Sequence, residues 1–241
     1  MKIYGLTDKG LVREDNQDFF AVEKLKENVA FAVVCDGMGG ANAGNVASKS
    51  AVNTICAYIK KSYRESLSGM ALENMLRGAL QSANSEVFQI SKKNKEYSGM
   101  GTTVVLAFID NQTGYILHVG DSRAYLLEDD KLMQLTVDHS MVQSLVDSGE
   151  ITADQAKVHP KKNIITRALG INNEVAADLD VFDLNNNSAL LLCTDGLTNF
   201  VNEDLIKTEL ADTNDTVVQR LIQRANDNGG ADNITAVVIT Q

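Results

Sequence analysis

Two periods run through the hydrophobic pattern of this chain, one of two residues and one of about 3.6. Short runs rich in β-branched and aliphatic residues read as strands: Val29–Cys35, Thr102–Ile109, Tyr115–Val119, Ala124–Leu127, Ser188–Cys193 and Ile234–Thr240. Asn111–Gly114 and Glu128–Lys131 carry turn-forming residues between neighbouring runs, which predicts antiparallel hairpins. Helical spacing puts Ala43, Val46, Ala47, Ser50, Ala51, Thr54, Ile55 and Tyr58 on one face of a first helix. It puts Leu72, Met75, Leu76, Ala79, Leu80, Ala83, Val87 and Ile90 on one face of a second. A third helix is predicted over Asp215–Asn226, just before the last strand. Hairpins mixed with a consecutive helix pair, without β-α-β alternation, predict an α+β fold in which sheets pack face to face with helices outside.

Composition adds constraints. The chain has 241 residues, 44% of them apolar, one proline (Pro160) and no tryptophan. No linker or repeat interrupts it, so residues 1–241 read as one domain. The stretch from about 138 to 166 is more polar and is predicted as a surface excursion with short helical pieces. A net charge of −10 repels phosphate backbones and excludes nucleic acid as a main partner. Cys35, Cys56 and Cys193 are odd in number and lack C-x-x-C spacing, which predicts neither disulfides nor a thiolate zinc site. No apolar run is long enough for a membrane span and MKIYGLTDKG has no signal-peptide core, so a cytoplasmic location is expected.

The aspartates carry the chemistry. Asp36 directly follows the run ending at Cys35, Asp195 stands two residues after the run ending at Cys193, and each opens an Asp-Gly step. Either step alone is also what a strand ending in a turn would show. Asp18 closes Arg13-Glu14-Asp15-Asn16-Gln17-Asp18, and Asp232 directly precedes the final strand region. Four acids at strand borders, if gathered, would repel one another, and hard cations with oxygen ligands relieve such repulsion. Gly37 allows close backbone approach, which makes its carbonyl a further candidate ligand. His118, His139 and His159 lack zinc spacing and read as core or surface residues. Oxygen ligands alone point to Mg²⁺ or Mn²⁺.

Other phosphate chemistries fail on spacing. Gly39-x-x-x-x-Gly44 is followed by Asn45, not by the lysine of a P-loop. Gly37-x-Gly39-x-x-Asn42 lacks the third glycine of a dinucleotide loop. Neither Cys35 nor Cys193 has an arginine six positions on, and Asp178-x-Asp180 is followed by the bulky Phe182 where an aspartyl-phosphate motif needs a small residue.

In order along the chain stand Arg13-x-x-Asn16-Gln17-Asp18, Asp36-Gly37-Met38-Gly39-Gly40, Gly101-Thr102-Thr103 and Gly120-Asp121-Ser122-Arg123-Ala124-Tyr125. Asp138-His139-Ser140, Ile165-Thr166-Arg167-Ala168-Leu169-Gly170, Thr194-Asp195-Gly196-Leu197 and Asp232-Asn233-Ile234-Thr235 follow. The whole series resembles the bacterial members of the PPM/PP2C family of metal-dependent serine/threonine protein phosphatases. That resemblance implies a four-layer α-β-β-α sandwich, two antiparallel sheets flanked by helices, with two Mn²⁺ or Mg²⁺ ions between the sheets and a third, weaker one. It implies that Asp36 bridges both ions, that Asp195 and Asp232 complete one site, and that the Gly37 carbonyl and Asp18 (through water) serve the other. Asp121 would help hold the third ion with Asp195, and Arg13 would grip the substrate phosphate. The alternative for Arg13 is a surface ion pair with Glu14 or Asp15, and Arg123 is expected to brace its loop by an ion pair.

The implied reaction is hydrolysis of phosphoserine and phosphothreonine in proteins by a metal-bridging water or hydroxide, reversing a eukaryotic-like bacterial Ser/Thr kinase. Residues 138–166 correspond to the family's flap, and a monomer with no nucleic-acid or membrane partner is expected. Two departures stand out. Met38 replaces a histidine common in eukaryotic relatives and cannot donate a proton, while Ala41 and Asn45 replace a histidine and an acid found in many bacterial ones. A catalytically silent phosphoprotein-binding domain is disfavoured by the intact aspartates, and a phosphohydrolase acting on a small metabolite is a further alternative.

Overall fold

The computed structural model describes residues Met1–Gln241, the side chains of 41 and 42 excepted, so that of Ala41 lies outside the described residues. The chain opens with β1 (Lys2–Asp8), β2 (Asp18–Lys26) and β3 (Val29–Met38), then a helical pair, α1 (Gly40–Ser62) and α2 (Met70–Lys93). Strands β4 (Gly101–Thr102), β5 (Val104–Asp110), β6 (Thr113–Val119), β7 (Arg123–Glu128) and β8 (Lys131–Gln134) come next. Short helices α3 (Met141–Asp147) and α4 (Ala153–Lys157) precede β9 (Asp178–Asp183) and β10 (Ala189–Cys193). The chain ends with α5 (Asp195–Thr198), α6 (Glu203–Ala211), α7 (Val217–Asp227) and β11 (Ile234–Thr240).

One sheet has the order β1-β11-β10-β7-β8 and the other β2-β3-β5-β6-β9, with β4 pairing the end of β3. Every pairing is antiparallel. Strand alternation builds three apolar layers. On β3, Phe31, Val33 and Cys35 face α1 and α2, while Ala32 and Val34 face the other sheet. On β10, Leu191 and Cys193 face α6 and α7, while Leu190 and Leu192 point inward. The two predicted helical faces pack on the β2-β3-β5-β6-β9 sheet as expected, with Ala47, Ala51, Ile55, Leu72, Leu76 and Leu80 all buried. The result is a four-layer α-β-β-α sandwich.

The predicted hairpins are present, and their turns bend through left-handed backbone at Asn111 (φ 57°) and at Asp129 and Asp130 (φ 48° and 61°). The run 102–109 is two strands rather than one, because Thr103 leaves the ladder between β4 and β5. Strands β1, β2, β8 and β9 were not predicted. They are edge strands, or carry charges outward as in Glu23, Lys24 and Lys26 of β2, so their apolar signal is weak. Among the described residues no helix is long and apolar enough to cross a membrane, and all three cysteines are free.

Candidate metal centre and phosphate site

The same alternation that fills the sandwich delivers acids to one end of it. Asp36 shares the parity of Ala32 and Val34, so it continues the inward face of β3 beyond the apolar core. Asp18 sits directly opposite Asp36 in the β2–β3 ladder. From the other sheet, Thr235 continues the inward parity of Val237 and Ile239, Asp232 lies just before β11, and Asp195 begins α5 two residues past the end of β10. Asp121 occupies the β6–β7 connection. All five predicted aspartates therefore meet where strands from both sheets end.

Their proximity is visible in their electrostatics. Burial pushes Asp18 up to about 7, partly offset by hydrogen bonds from Thr235 and Thr194 and raised further by Asp195 and Asp232. Burial and then the charges of Asp18, Asp195, Asp121 and Asp232 push Asp36 well above the usual carboxylate range. Asp121 rises to about 7 through burial and the neighbouring Asp195. Asp195 rises through burial and Asp232, and lies within hydrogen-bonding reach of Asp36. Several buried carboxylates that each resist ionisation form a site short of positive charge.

Both Asp-Gly steps are explained by space rather than by turn geometry, since neither glycine has a positive φ. A Cβ on Gly37 would fall 2.0 Å from the Gly44 carbonyl oxygen where α1 crosses β3, and one on Gly196 would fall 1.8 Å from the Asn233 carbonyl oxygen. Each glycine lets a neighbouring backbone press against the segment that carries its aspartate. The motif residues around them act as braces. The Asp36 N–H donates to Thr103 Oγ1 (2.9 Å), and Thr102 Oγ1 donates to the Asp36 carbonyl (2.8 Å). That bracing is why Thr103 breaks the strand. Asn233 accepts the Gln17 N–H (2.8 Å) and donates to the Lys9 and Asp15 carbonyls (3.0 and 2.9 Å), stitching the Asn-Gln-Asp segment to β11.

Asp18 is fixed by donation from Thr194 Oγ1 (2.8 Å) and Thr235 Oγ1 (2.7 Å), both to Oδ2. Its Oδ1, like Oδ1 of Asp195, is buried with no hydrogen-bond partner. Buried carboxylate oxygens left without donors, in a set containing no nitrogen or sulfur ligand, fit a hard divalent cation.

Arg13 donates from Nη2 to Asp232 Oδ2 (2.9 Å), so its partner is a member of the cluster rather than Glu14 or Asp15. That hydrogen bond is the main reason its own pKa is raised. Its side chain stays more than half exposed, leaving further N–H groups for an anion. Arg123 forms the expected ion pair, bidentate to Asp138 at 2.8 and 2.7 Å. Met38 ends β3 with no proton to give.

Sequence reasoning missed three features. The first is the pair of threonines holding Asp18, whose signal lay unused in the Thr194-Asp195 and Ile234-Thr235 motifs. The second is a chain from the surface excursion: Lys162 Nζ donates to Asn199 Oδ1 (3.2 Å), and Asn199 Nδ2 donates to Asp195 Oδ2 (3.0 Å). The third is a cluster of His118, His139 and Asp178 whose ligand-capable atoms lie within 4.8 Å of one another. There the Gly120 N–H donates to His139 Nδ1 (3.1 Å), which fixes the ring proton on Nε2, facing Asp178 Oδ2 (3.2 Å). With Arg167 Nη1 also 3.0 Å from Asp178 Oδ1, the cluster supplies its own cation and ties the Asp121 loop to β9.

With this geometry in view, the relatives of the chain can be compared. A family model described as Protein phosphatase 2C matches residues 12–237. Serine/threonine phosphatase stp of Listeria monocytogenes is 39% identical over 236 residues, 97% of this chain and 93% of that protein. Serine/threonine phosphatase Stp1 from Staphylococcus aureus has a solved structure with a TM-score of 0.93 at 35% identity, covering 100% of this chain and 94% of that one. The catalytic domain of the serine threonine protein phosphatase PstP, solved in complex with 2 manganese ions, gives a TM-score of 0.85 at 33% identity, covering 98% and 96%. Sequence match over nearly the whole length, a shared four-layer fold and the converging aspartates agree: this chain belongs to the protein phosphatase 2C family.

Proposed function

We propose that the chain is a metal-dependent protein phosphatase that hydrolyses phosphoserine and phosphothreonine, and that Asp18, Asp36, Gly37, Asp121, Asp195 and Asp232 hold its cations. The observation that carries this reading is the buried carboxylate set with its unpartnered Asp18 and Asp195 oxygens, next to the exposed guanidinium of Arg13. Asp36 would serve two Mn²⁺ or Mg²⁺ ions. Asp195 and Asp232 would hold one of them and the Gly37 carbonyl and Asp18 the other, while Asp121 and Asp195 would hold a third, weaker ion. When bound, the ions would neutralise phosphoryl oxygens and make a water acidic enough to attack phosphorus near neutral pH.

The chain's own residues do the rest. Arg13 receives the phosphoryl oxygens through paired N–H donors, oriented by its bond to Asp232. Thr194 and Thr235 fix the Asp18 carboxylate, and Thr102 and Thr103 fix the backbone of Asp36. No side-chain nucleophile is needed, and Met38 leaves the departing serine or threonine oxygen without a protein acid beside Asp36. Residues 138–166 form a flap subdomain of an otherwise single domain, supported by the link from Lys162 through Asn199 to Asp195. The enzyme acts as a monomer in the cytoplasm, in keeping with its free thiols, and reverses a eukaryotic-like Ser/Thr kinase.

The decisive experiment is turnover of phosphoserine, phosphothreonine and phosphotyrosine peptides in Mn²⁺, with and without EDTA. Release of phosphate from the first two, lost in EDTA, is expected. No turnover of any peptide, with turnover of small phosphate esters, would instead favour a metabolite phosphohydrolase.

A further inference from the structure

Leu11 and Val12 are consecutive aliphatic residues with 68% and 66% of their surface exposed, and they lead directly into Arg13. Scattered exposed aliphatics are ordinary, but here two stand side by side next to the residue that would grip phosphate. They are held in place rather than waving. The Leu11 N–H donates to the Gly230 carbonyl (2.7 Å), and the Gly10 N–H to Asp8 Oδ1 (2.8 Å). The Leu11 side chain lies against Gly230, whose added Cβ would come within 2.9 Å of Leu11 Cγ. Gly10 passes so close to Asp232 that a Cβ there would fall 2.1 Å from its carbonyl oxygen. The loop is thus pinned to the segment that also orients Arg13.

We infer that Leu11 and Val12 form an apolar shelf for the residue next to the phosphorylated serine or threonine of the substrate, and that this neighbour is aliphatic or aromatic. The inference rests on the phosphatase reading of the site. Successive Cα atoms lie about 3.8 Å apart. Val12 and Leu11 are thus one and two residues from Arg13 on the same exposed loop, and so border a peptide whose phosphoryl group rests on that guanidinium. Charge narrows the occupant. Glu14 and Asp15, both exposed, flank Arg13 on the other side, and the chain carries a net charge of −10, so an acidic neighbour is repelled. An apolar neighbour covers Leu11 and Val12 without meeting that charge.

The test uses phosphothreonine peptides that differ only in the flanking residue (Leu, Phe, Gly, Lys or Glu), with p-nitrophenyl phosphate as a substrate that has no flank. Wild-type enzyme is expected to favour Leu and Phe over Gly by about tenfold in kcat/KM, the scale of burying one aliphatic side chain. The double variant Leu11→Ser, Val12→Ser is expected to erase that preference through KM and to change p-nitrophenyl phosphate turnover less than about twofold. A flat peptide panel, or a lysine preference untouched by the double variant, overturns the shelf. Equal losses on peptides and p-nitrophenyl phosphate also overturn it, by showing that the loop acts through Arg13. Failure of the wild type on every phosphate ester would instead remove the phosphatase reading itself.

Discussion

Two acidic sites in this molecule both meet a burial penalty and respond in opposite directions. Glu209 on α6 is 6% exposed, but Arg220 Nε approaches its Oε2 at 2.6 Å and Arg224 Nε its Oε1 at 2.9 Å. Burial pushes its carboxyl up, and the hydrogen bonds from the two arginines overcome that push, so its net displacement is downward. Asp18, Asp36 and Asp195 gather with no comparable partner, and all are displaced upward. Where an acid is structural, the fold supplies the cation. Where the fold gathers acids and withholds the cation, the deficit is the site, to be filled from solution.

The largest effect should come from removing members of the deficient set. Asp36→Asn and Asp195→Asn are expected to lower kcat by about a thousandfold or more, since each removes charge from the metal centre. In EDTA the same variants should melt at or above the wild-type temperature, because a repulsive buried charge has been deleted. A marked loss of stability in EDTA would show that these aspartates are structural, like Glu209.

The comparison also fixes the sign of a pH effect. Unfolded aspartate titrates near pH 3.9, whereas Asp18 and Asp121 titrate near 7 in the metal-free fold. The folded state binds these protons more tightly, so the stability they confer is full below about pH 4 and is lost as pH rises through about 7. Metal-free protein should therefore lose a few kcal/mol between these values. Glu209, displaced downward, contributes in the opposite sense, and its stabilisation is lost as pH falls through its folded value. Melting curves in EDTA from pH 4 to 8, repeated at pH 7.5 with Mn²⁺, check this. Mn²⁺ should restore the stability lost near pH 7, and a metal-free protein that grows steadily more stable toward pH 8 would contradict the assignment.

Glu209→Gln comes next. It removes the counter-charge that Arg220 and Arg224 share, but Arg220 keeps Asp212 at 3.9 Å and both arginines are partly exposed to water. A cost of about 2 kcal/mol is expected, below that of breaking a fully buried pair. Activity per folded molecule should not change, which denaturant melts with parallel kinetics would establish.

The contrast between these sites also shows what the sequence could reveal. The gathering of aspartates was legible because it sits where strands end, and strands such as Val29–Cys35 and Ile234–Thr240 announce themselves by continuous apolar runs. Asp36, Asp195 and Asp232 are read off those ends. Glu209 was not legible, because its partners lie 11 and 15 residues away on α7 and no periodicity encodes which arginines will turn toward it. The same holds for Thr194 and Thr235, whose hydroxyls reach Asp18 across 176 and 217 residues. The partner of Arg13 was out of reach for this reason: sequence proximity offered Glu14 or Asp15 only as an alternative to phosphate binding, and the fold brings Asp232. Strand β9 stayed hidden because acids interrupt its apolar residues at a sheet edge; Asp178 and Asp180 share the strand face of Phe182, toward the other sheet, and Asp178 pairs there with His139 and Arg167.

Arg13 offers the finest test of the contrast, because it is the one guanidinium hydrogen-bonded to the cluster among the described residues. If it were a structural counter-ion like Arg220, removing it would destabilise the fold. Its side chain is 56% exposed, against 29% for Arg220, and its bond to Asp232 is largely screened by water. Arg13→Ala should therefore shift metal-free stability by less than about 0.5 kcal/mol. It should raise KM for phosphopeptides by about tenfold, roughly 1.4 kcal/mol of lost phosphate binding, with a smaller change in kcat. Arg13→Lys should recover only part of that affinity, because an ammonium keeps the charge but not the paired N–H geometry. An unchanged KM in both variants, with a lower melting temperature, would move Arg13 to the structural side of the comparison.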